Sequence, residues 1–348
     1  STETLDPAVE QYLYGLIAEL EKRMGVLQYV DLSGTTEEPD ESASQLPFSI
    51  EEFGFSEILE KPDRHRKRET IPLGNIRDAI DKHSRFVLIG DAGSSKTTTI
   101  RRLALDAAQK KLDQPDAPLP LLLYLPRWKD EATAEDFVRM QWRELQLPAD
   151  VDPIALLQQG EATLYLDGLN EMGGDGAGNA KKLKAWFQSI SKPVQVIVTC
   201  RKDSYSEDFE LDLPVVQVEP LSDEQIKRFV QNYLGDRAEL ILERLMPDDK
   251  QARQDTRHLY HLTKNPYMLS ALIIVFNNSP EQELSRNNGK LLQMLVRALA
   301  KREAKRNSLG WTPLEEKLSH IEPALARLAF SMIDGNKGTE IAVDYPRK

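Results

Sequence analysis

The chain has 348 residues, of which 40% are hydrophobic and 29% are charged, and its formal net charge is −11. This length favours two or three domains, and the acidic balance argues against a general affinity for nucleic acid or for an anionic membrane. The single cysteine, Cys200, excludes an internal disulfide and a cysteine-rich zinc site. No apolar run is long enough to span a bilayer, so we expect a cytoplasmic protein.

The first 81 residues are predicted to hold one helix and two less regular segments. Asp6-Pro7 is a typical helix opening, and apolar spacing predicts an amphipathic helix over residues 7–27, within an N-terminal segment 1–32. Docking on the next domain is its simplest role, and an effector or oligomerisation role is the alternative. We expect an acidic linker at 33–48 and a pre-core segment at 49–81, whose basic run 64–68 is interpreted as solvated surface.

A buried strand, a turn of small residues and a helix start follow one another over residues 86–99. In a P-loop, backbone N–H groups face the phosphates, a lysine reaches the β- and γ-phosphate oxygens, and a hydroxyl binds Mg²⁺. Three of the four signature positions are filled, and Ser95 replaces the glycine before the lysine. If that position needs a positive φ, a side chain costs about 1–2 kcal/mol, roughly ten- to thirty-fold in nucleotide affinity. The residues predicted to bind nucleotide here are Gly90, Asp91, Ala92, Gly93, Ser94, Ser95, Lys96, Thr97 and Thr98.

Short apolar runs alternate with helical patterns after this loop. The runs lie near residues 120–125, 162–167, 194–199 and 215–218. Such alternation predicts a parallel sheet that is covered on both faces. Ligands bind such sheets at the carboxyl ends of the strands, where Gly90, Asp167 and Arg201 are expected to lie.

Two carboxylates follow the apolar run 162–167. Asp167 can hold Mg²⁺ together with Thr97, and Glu171 can orient and deprotonate an attacking water. The alternative is that Asp167 caps the turn and Glu171 is solvated. Arg201 can stabilise the γ-phosphate, and its alternative is an ordinary salt bridge to a nearby aspartate, Asp203 or Asp208.

Beyond Pro220 the patterns are helical only. Ser222 and Gln225 form a predicted capping box, and Gly235 is expected to end that helix. Further helices are predicted at about 237–246, 255–263, 266–277 and 288–305. His258 and His261 are interpreted as structural because no third ligand has a matching spacing. We expect a mobile loop at 173–178, and a small buried side chain at Cys200.

Five short motifs in this order resemble the NACHT-type NTPases, which belong to the signal-transduction (STAND) class of P-loop ATPases and are related to AAA+ proteins. The motifs are residues 90–98, 167–171, 199–201, 220–222 and 265–269. The resemblance implies an α/β fold, with a parallel-sheet, AAA+-like P-loop NTPase core, then an all-α helical domain and the start of a winged-helix domain. The implied boundaries are 82–220 for the core, 221–283 for the helical domain and 284–348 for a truncated winged-helix region.

The resemblance also implies roles for individual residues. Lys96 and Thr97 match the Walker A lysine and hydroxyl, Asp167 and Glu171 match the Walker B acids, and Arg201 matches the sensor arginine. Pro266 matches the proline of the helical domain that packs against the nucleotide. Asn170 stands where many relatives carry a second acid, which leaves Glu171 as the well-placed base.

The function that this resemblance implies is a regulatory switch. Such a protein binds ATP or ADP with Mg²⁺, hydrolyses ATP slowly, and self-associates when a C-terminal region senses a protein or other ligand. A role in immune or antiviral signalling is implied by the resemblance alone. Two alternatives stay open: a motor-type AAA+ ATPase, and a scaffold in which Ser95 prevents hydrolysis or binding.

Overall fold

A computed structural model describes residues 5–24, 31–37, 70–129, 133–173, 175–190, 194–206, 208–247 and 257–278, with isolated positions between 290 and 327. The chain forms two compact units: residues 1–233 with 264–267, and residues 234–263 with 268–348. The basic run 64–68 and most of the region predicted to begin a winged helix lie outside the described residues. The domain boundaries given above stay predictions.

The first unit is built on one seven-stranded sheet. Its order is β2-β1-β7-β3-β6-β5-β4, in which β3 to β7 run parallel to one another and β1 is antiparallel to both β7 and β2. The strands are β1 (Gly34–Glu37), β2 (Thr70–Leu73), β3 (Arg85–Gly90), β4 (Leu119–Tyr124), β5 (Ala162–Asp167), β6 (Val196–Arg201) and β7 (Val215–Val218). The predicted parallel-sheet, P-loop NTPase-like core is confirmed. This order places β6 between the strand that enters the P-loop and the strand that ends at Asp167.

Helices cover the sheet and form the second unit. They are α1 (Pro7–Met24), α2 (Asp78–Lys82), α3 (Lys96–Asp113), α4 (Ala134–Glu144), α5 (Pro153–Gln159), α6 (Gly176–Ser189), α7 (Asp223–Leu234), α8 (Ala238–Leu245), α9 (Arg257–Thr263) and α10 (Pro266–Asn278). Strands β3, β4, β5 and β6 are buried along nearly their whole length because helices pack on both faces. In the described part of the chain, no helix combines the length and apolar character needed to cross a membrane.

Helix ends follow the capping residues of the sequence. The predicted capping box at α7 is present, since the Ser222 N–H donates to Gln225 Oε1 (2.8 Å) and the Gln225 N–H donates to Ser222 Oγ (3.2 Å). Helix α7 ends at Leu234, and Gly235 follows with a φ of +53°. Helix α5, which the sequence analysis did not predict, opens with Asp152 as its cap and Pro153 at its first position.

Two segments differ from the sequence-based expectation. The predicted linker 33–48 contains strand β1, which lies between β2 and β7 and pairs with both, and its two threonines suit an extended backbone. The predicted mobile loop 173–178 is partly helical: α6 begins at Gly176, and the carboxylate of Asp175 accepts a hydrogen bond from the Gly178 N–H (2.9 Å). Asp175 thus caps the helix and satisfies one of its free donors.

The N-terminal helix α1 docks on the core of the first unit, as its apolar stripe predicts. Leu13 and Leu20 are fully buried. The hydroxyl of Tyr12 donates a buried hydrogen bond of 2.8 Å to the carbonyl of Pro120 on β4. Burying both apolar side chains stabilises this contact by about 3–6 kcal/mol, so α1 is an integral part of the unit.

The second unit has its own apolar core. Phe276 on α10 is fully buried there, and the guanidinium groups of Arg237 and Arg244 lie 6.0 and 5.8 Å from its ring centre. These cation–π contacts cover the ring while the charges stay near water. The stretch 267–276, the most apolar of the sequence, is therefore largely a core helix.

Candidate nucleotide site

The P-loop, residues 90–97, joins β3 to α3 at the carboxyl end of the sheet. Its backbone has a positive φ at two positions, +76° at Gly93 and +69° at Ser95. Ser95 immediately precedes α3 and lies in the left-handed region without a side-chain capping bond to the helix. The condition attached to Ser95 in the sequence analysis is therefore met: a non-glycine residue occupies a conformation that costs about 1–2 kcal/mol.

The glycines that remain in the loop are required by close contacts. A Cβ atom on Gly90 would lie 2.6 Å from Ser94 Oγ and 3.2 Å from Val218 Cβ. A Cβ atom on Gly93 would lie 2.9 Å from both Asn265 Oδ1 and Tyr267 Cβ, in addition to the strain of its positive φ. A side chain at Gly93 would therefore be strained, and one at Gly90 would force Ser94 and Val218 to shift.

Lys96 folds back over the loop. Its Nζ donates to the carbonyl oxygens of Gly90 (2.8 Å) and Asp91 (2.9 Å) and lies 3.4 Å from Ser94 Oγ. Burial and the positive charge of Arg201 lower the pKa of Lys96. The ammonium group is thus fixed at the mouth of the turn, where a phosphate would exchange its carbonyl partners for a stronger charged acceptor.

Thr97 and Asp167 converge although they are 70 residues apart in the sequence. Thr97 Oγ1 donates to Asp167 Oδ1 at 3.1 Å, across the end of β5. Asp167 is 6% exposed and also accepts a short hydrogen bond of 2.6 Å from Thr199 Oγ1 on β6. Hard oxygen ligands of this kind suit Mg²⁺. The hydroxyl of Thr97 and the carboxylate of Asp167 therefore fit the metal that the sequence predicts.

The acidic turn, residues 167–171, is tied to β6 by its neighbours. The Gly168 N–H donates to Thr199 Oγ1 (2.9 Å), and the Arg201 N–H donates to the side-chain oxygen of Asn170 (2.9 Å). Gly168 takes the turn's positive φ of +88°. Asn170, where many relatives have an acid, serves as a neutral acceptor at the end of β6.

Glu171 and Arg201 form an ion pair across this turn. Arg201 Nη2 lies 3.6 Å from Glu171 Oε1, and both side chains are partly exposed. The alternative partners proposed for Arg201, Asp203 and Asp208, are not the ones it pairs with in this structure. Exposed pairs at this distance are weak, about 0–1 kcal/mol, so Glu171 can exchange Arg201 for a water molecule at little cost.

Cys200 is a buried structural residue, as predicted. It is 1% exposed on β6, and burial raises the pKa of its thiol to about 11. The thiol therefore stays protonated at neutral pH and is a poor nucleophile. Among the described residues no group of three or more acidic, histidine or cysteine side chains could hold a separate metal ion.

A segment distant in sequence also contacts the P-loop. Asn265 Nδ2 donates to the Ala92 carbonyl (2.9 Å), and the Tyr267 N–H donates to the Gly93 carbonyl (3.2 Å). Pro266, predicted to pack on nucleotide, lies between them as the first residue of α10.

The structure thus brings most of the predicted site residues together at one end of the sheet. Thr97 contacts Asp167, and Glu171 contacts Arg201. Lys96 is bound to the P-loop carbonyls, and Thr98 continues the first turn of α3. The sequence analysis assigned no role to Thr199 or Asn265. Thr199 could have been found from its place two residues before Arg201, which puts it on the same face of β6.

A P-loop on the first parallel strand, a buried aspartate on another, and an arginine-bearing strand between them define a P-loop NTPase-like core. Residues 84–237 match the family model of the NACHT domain. The chain therefore contains a NACHT domain, a P-loop NTPase domain of the STAND class. A nucleotide-binding NTPase core follows from this match.

Solved structures resemble the chain only distantly. The Walker-type ATPase paby2304 of Pyrococcus abyssi is 13% identical, with a TM-score of 0.39 over 77% of this chain and 83% of that one. C. elegans PCH-2 is 14% identical, with a TM-score of 0.33 over 65% of this chain and 64% of that one. A comparison with curated protein sequences gives no match.

Proposed function

We propose that this chain is a nucleotide-controlled switch that binds ATP or ADP with Mg²⁺ and hydrolyses ATP slowly. The observation that carries the proposal is the convergence of Thr97 and Asp167 at 3.1 Å beside the Lys96 ammonium. These are the hydroxyl, the carboxylate and the cation that a Mg²⁺–nucleotide requires, and they come from two adjacent turns.

Each residue has a distinct task in this proposal. Lys96 would bind the β- and γ-phosphate oxygens, and Thr97 and Asp167 would hold the metal. When bound, Mg²⁺ would neutralise charge on the phosphate oxygens. Glu171 would orient a water molecule and accept its proton, and Arg201 would stabilise the γ-phosphate.

The ion pair between Glu171 and Arg201 joins the proposed base to the proposed sensor of the γ-phosphate. Arg201 Nη2 lies 3.6 Å from Glu171 Oε1, and a pair this weak opens easily when either partner finds another contact. Arg201 would contact the γ-phosphate when ATP is bound and Glu171 when ADP is bound. A difference in contacts between the two nucleotide states is the physical requirement for a switch. We further propose self-association in the ATP form, a cytoplasmic location and a role in immune or antiviral signalling.

The first experiment identifies the nucleotide carried by the purified full chain. The protein is denatured in acid, and the released nucleotide is separated by ion-exchange chromatography. We expect ADP, and a Mg²⁺-dependent ATPase rate of about 10⁻² s⁻¹ or slower. Light scattering with ADP and with ATP then tests self-association, for which we expect a larger mass with ATP.

Other outcomes would favour the alternatives. A turnover of about 1–100 s⁻¹ in a stable ring would indicate a motor-type AAA+ ATPase. If neither the wild type nor Ser95→Gly carries or binds a nucleotide, the switch is excluded and the scaffold is favoured.

A further inference from the structure

The contact between Asn265 and the P-loop has a defined geometry. The amide of Asn265 is hydrogen-bonded through both its nitrogen and its oxygen: its Nδ2 donates to the Ala92 carbonyl (2.9 Å), and its Oδ1 accepts from the Tyr267 N–H (3.0 Å). A carbonyl needs a donor and an N–H needs an acceptor, so both partners require the same orientation of the amide. The side chain is thus locked at both ends.

The bond to Ala92 fixes a peptide of the P-loop. In a trans peptide the C=O and the following N–H lie in one plane and point in opposite directions. Holding the Ala92 carbonyl toward Asn265 therefore aims the Gly93 N–H away from Asn265. The next peptide is held by backbone alone, since the Gly93 carbonyl accepts from the Tyr267 N–H and the Ser94 N–H donates to the Asp91 carbonyl (3.2 Å).

The segment 264–267 that carries Asn265 is anchored to the sheet unit by other contacts. The Lys264 carbonyl accepts from the Leu221 N–H (2.9 Å), and Lys264 Nζ lies 2.7 Å from Asp223 Oδ1. These contacts do not involve the side chain of residue 265. A substitution at Asn265 therefore removes the bond to the P-loop without releasing the segment.

We propose that Asn265 is a positioning residue for the nucleotide phosphates. Its side chain holds the Ala92–Gly93 peptide in the orientation that leaves the Gly93 N–H free to bind a phosphate. This inference rests on the proposed function, because a phosphate must bind the loop for the N–H to matter. Backbone N–H groups that share one concave turn bind anions together. Misdirecting one of them weakens the binding of the phosphates and leaves the adenosine part of the ligand unaffected.

The test compares Asn265→Asp with a matched control, Asn75→Asp. Aspartate is isosteric and still accepts from the Tyr267 N–H, but it presents an oxygen instead of a donor to the Ala92 carbonyl. Asn75 has the same local geometry, because its Oδ1 accepts from the N–H two residues later, at Arg77 (3.0 Å), and it lies outside the P-loop. Asn265→Ala, which removes both bonds, is the second variant.

Affinity for ADP with Mg²⁺ is measured by calorimetry on the full chain, and affinity for AMP by competition. We expect ADP binding to weaken about ten-fold or more in Asn265→Asp and about five-fold in Asn265→Ala. We expect a change of less than about two-fold in Asn75→Asp. AMP, which lacks the β-phosphate, should lose less than about two-fold in every variant.

Three results would overturn the inference. The first is ADP binding by Asn265→Asp within about two-fold of the wild type. The second is an equal loss of ADP and AMP affinity, and the third is a fall in melting temperature of more than about 5 °C, either of which would indicate general loosening. If the wild type itself binds no ADP, the proposed function fails, which is a different result from an unchanged variant of a binding protein.

Discussion

The two turns that form the nucleotide site hold their shapes in different ways. The P-loop takes a positive φ at Gly93 and at the non-glycine Ser95, and its carbonyls are bound by Lys96 and by the distant Asn265. The acidic turn takes one positive φ, at Gly168, and is bound to the adjacent strand β6. The first turn carries strain and relies on charged or remote partners, whereas the second is braced by its neighbour in the sheet.

This difference separates binding from chemistry. The carbonyls that hold Lys96 belong to the loop that a phosphate would enter, so the P-loop contacts are ones that a ligand replaces. The hydrogen bond between Thr199 and Asp167 is buried, that between Thr199 and Gly168 is partly buried, and neither involves a P-loop residue. Changes in the P-loop should therefore alter nucleotide affinity most, and changes in the acidic turn should alter hydrolysis or stability.

Lys96→Met should give the largest effect. The substitution removes the ammonium group that binds the P-loop carbonyls, and with it a charge-assisted hydrogen bond to the phosphates. We expect ADP affinity to fall by at least about one-hundred-fold, measured by calorimetry. Lys110→Met, an exposed lysine at the other end of α3, is the control and should bind as the wild type does. Equal affinity in the two variants would contradict a role for the P-loop lysine.

Glu171→Gln should separate binding from hydrolysis. The amide can still accept a hydrogen bond from Arg201 or water but cannot take a proton. We expect the hydrolysis rate to fall by about 10²–10⁴-fold, measured by phosphate release in single-turnover experiments. ATP affinity should stay within about three-fold of the wild type, because Glu171 lies outside the P-loop. Unchanged turnover would remove Glu171 as the base, and lost affinity would contradict the division proposed here.

Thr199→Val should test the bracing of the acidic turn. Valine keeps the shape of threonine but has no hydroxyl. Asp167 therefore loses a hydrogen-bond donor, and the Gly168 N–H loses its acceptor, beside a buried side chain. The cost of about 2–3 kcal/mol should lower the melting temperature by about 6 °C.

Thr163→Val is the matched control for that change. Thr163 is also buried on a neighbouring strand, but its hydroxyl makes a single long contact of 3.4 Å to Gln195 at the opposite end of β5. We expect a fall of less than about 2 °C. Similar melting temperatures for the two variants would show that the contacts of Thr199 do not brace the turn.

Much of the sheet and the P-loop could be predicted from local patterns. Apolar runs that end at Gly90, at Asp167 and at Thr199, two residues before Arg201, marked the parallel strands, because strands buried on both faces are apolar throughout. Strand β1 could not be predicted in this way. Its four residues have no apolar alternation, and its place in the sheet comes from pairing with Val216 and Val218 some 180 residues later.

The contacts within the site were harder to predict than its members. Spacing suggested that Thr97 and Asp167 share a metal, but no local pattern could show Asn265 against Ala92, because that contact depends on how the chain returns after α9. The partner of Arg201 was also not predictable. Asp203 and Asp208 are near in sequence, yet the structure pairs it with Glu171, which becomes a neighbour only through the adjacency of β5 and β6.

Ser95→Gly should give the smallest effect, and it tests whether the strain of the P-loop lowers folding stability or nucleotide affinity. Because the φ of +69° at Ser95 is part of the folded loop, we assign its cost to folding. Glycine relieves about 1–2 kcal/mol of strain but adds about 0.5–1 kcal/mol of unfolded-state entropy. The melting temperature without nucleotide should therefore rise by about 1–3 °C.

Gln146→Gly, at another non-glycine residue with a positive φ of +56°, should give a similar rise and serves as the control. ADP affinity should change by less than about three-fold, so the ten- to thirty-fold effect considered from sequence is not expected. A ten-fold gain in affinity with an unchanged melting temperature would mean that the loop adopts this conformation only around a phosphate.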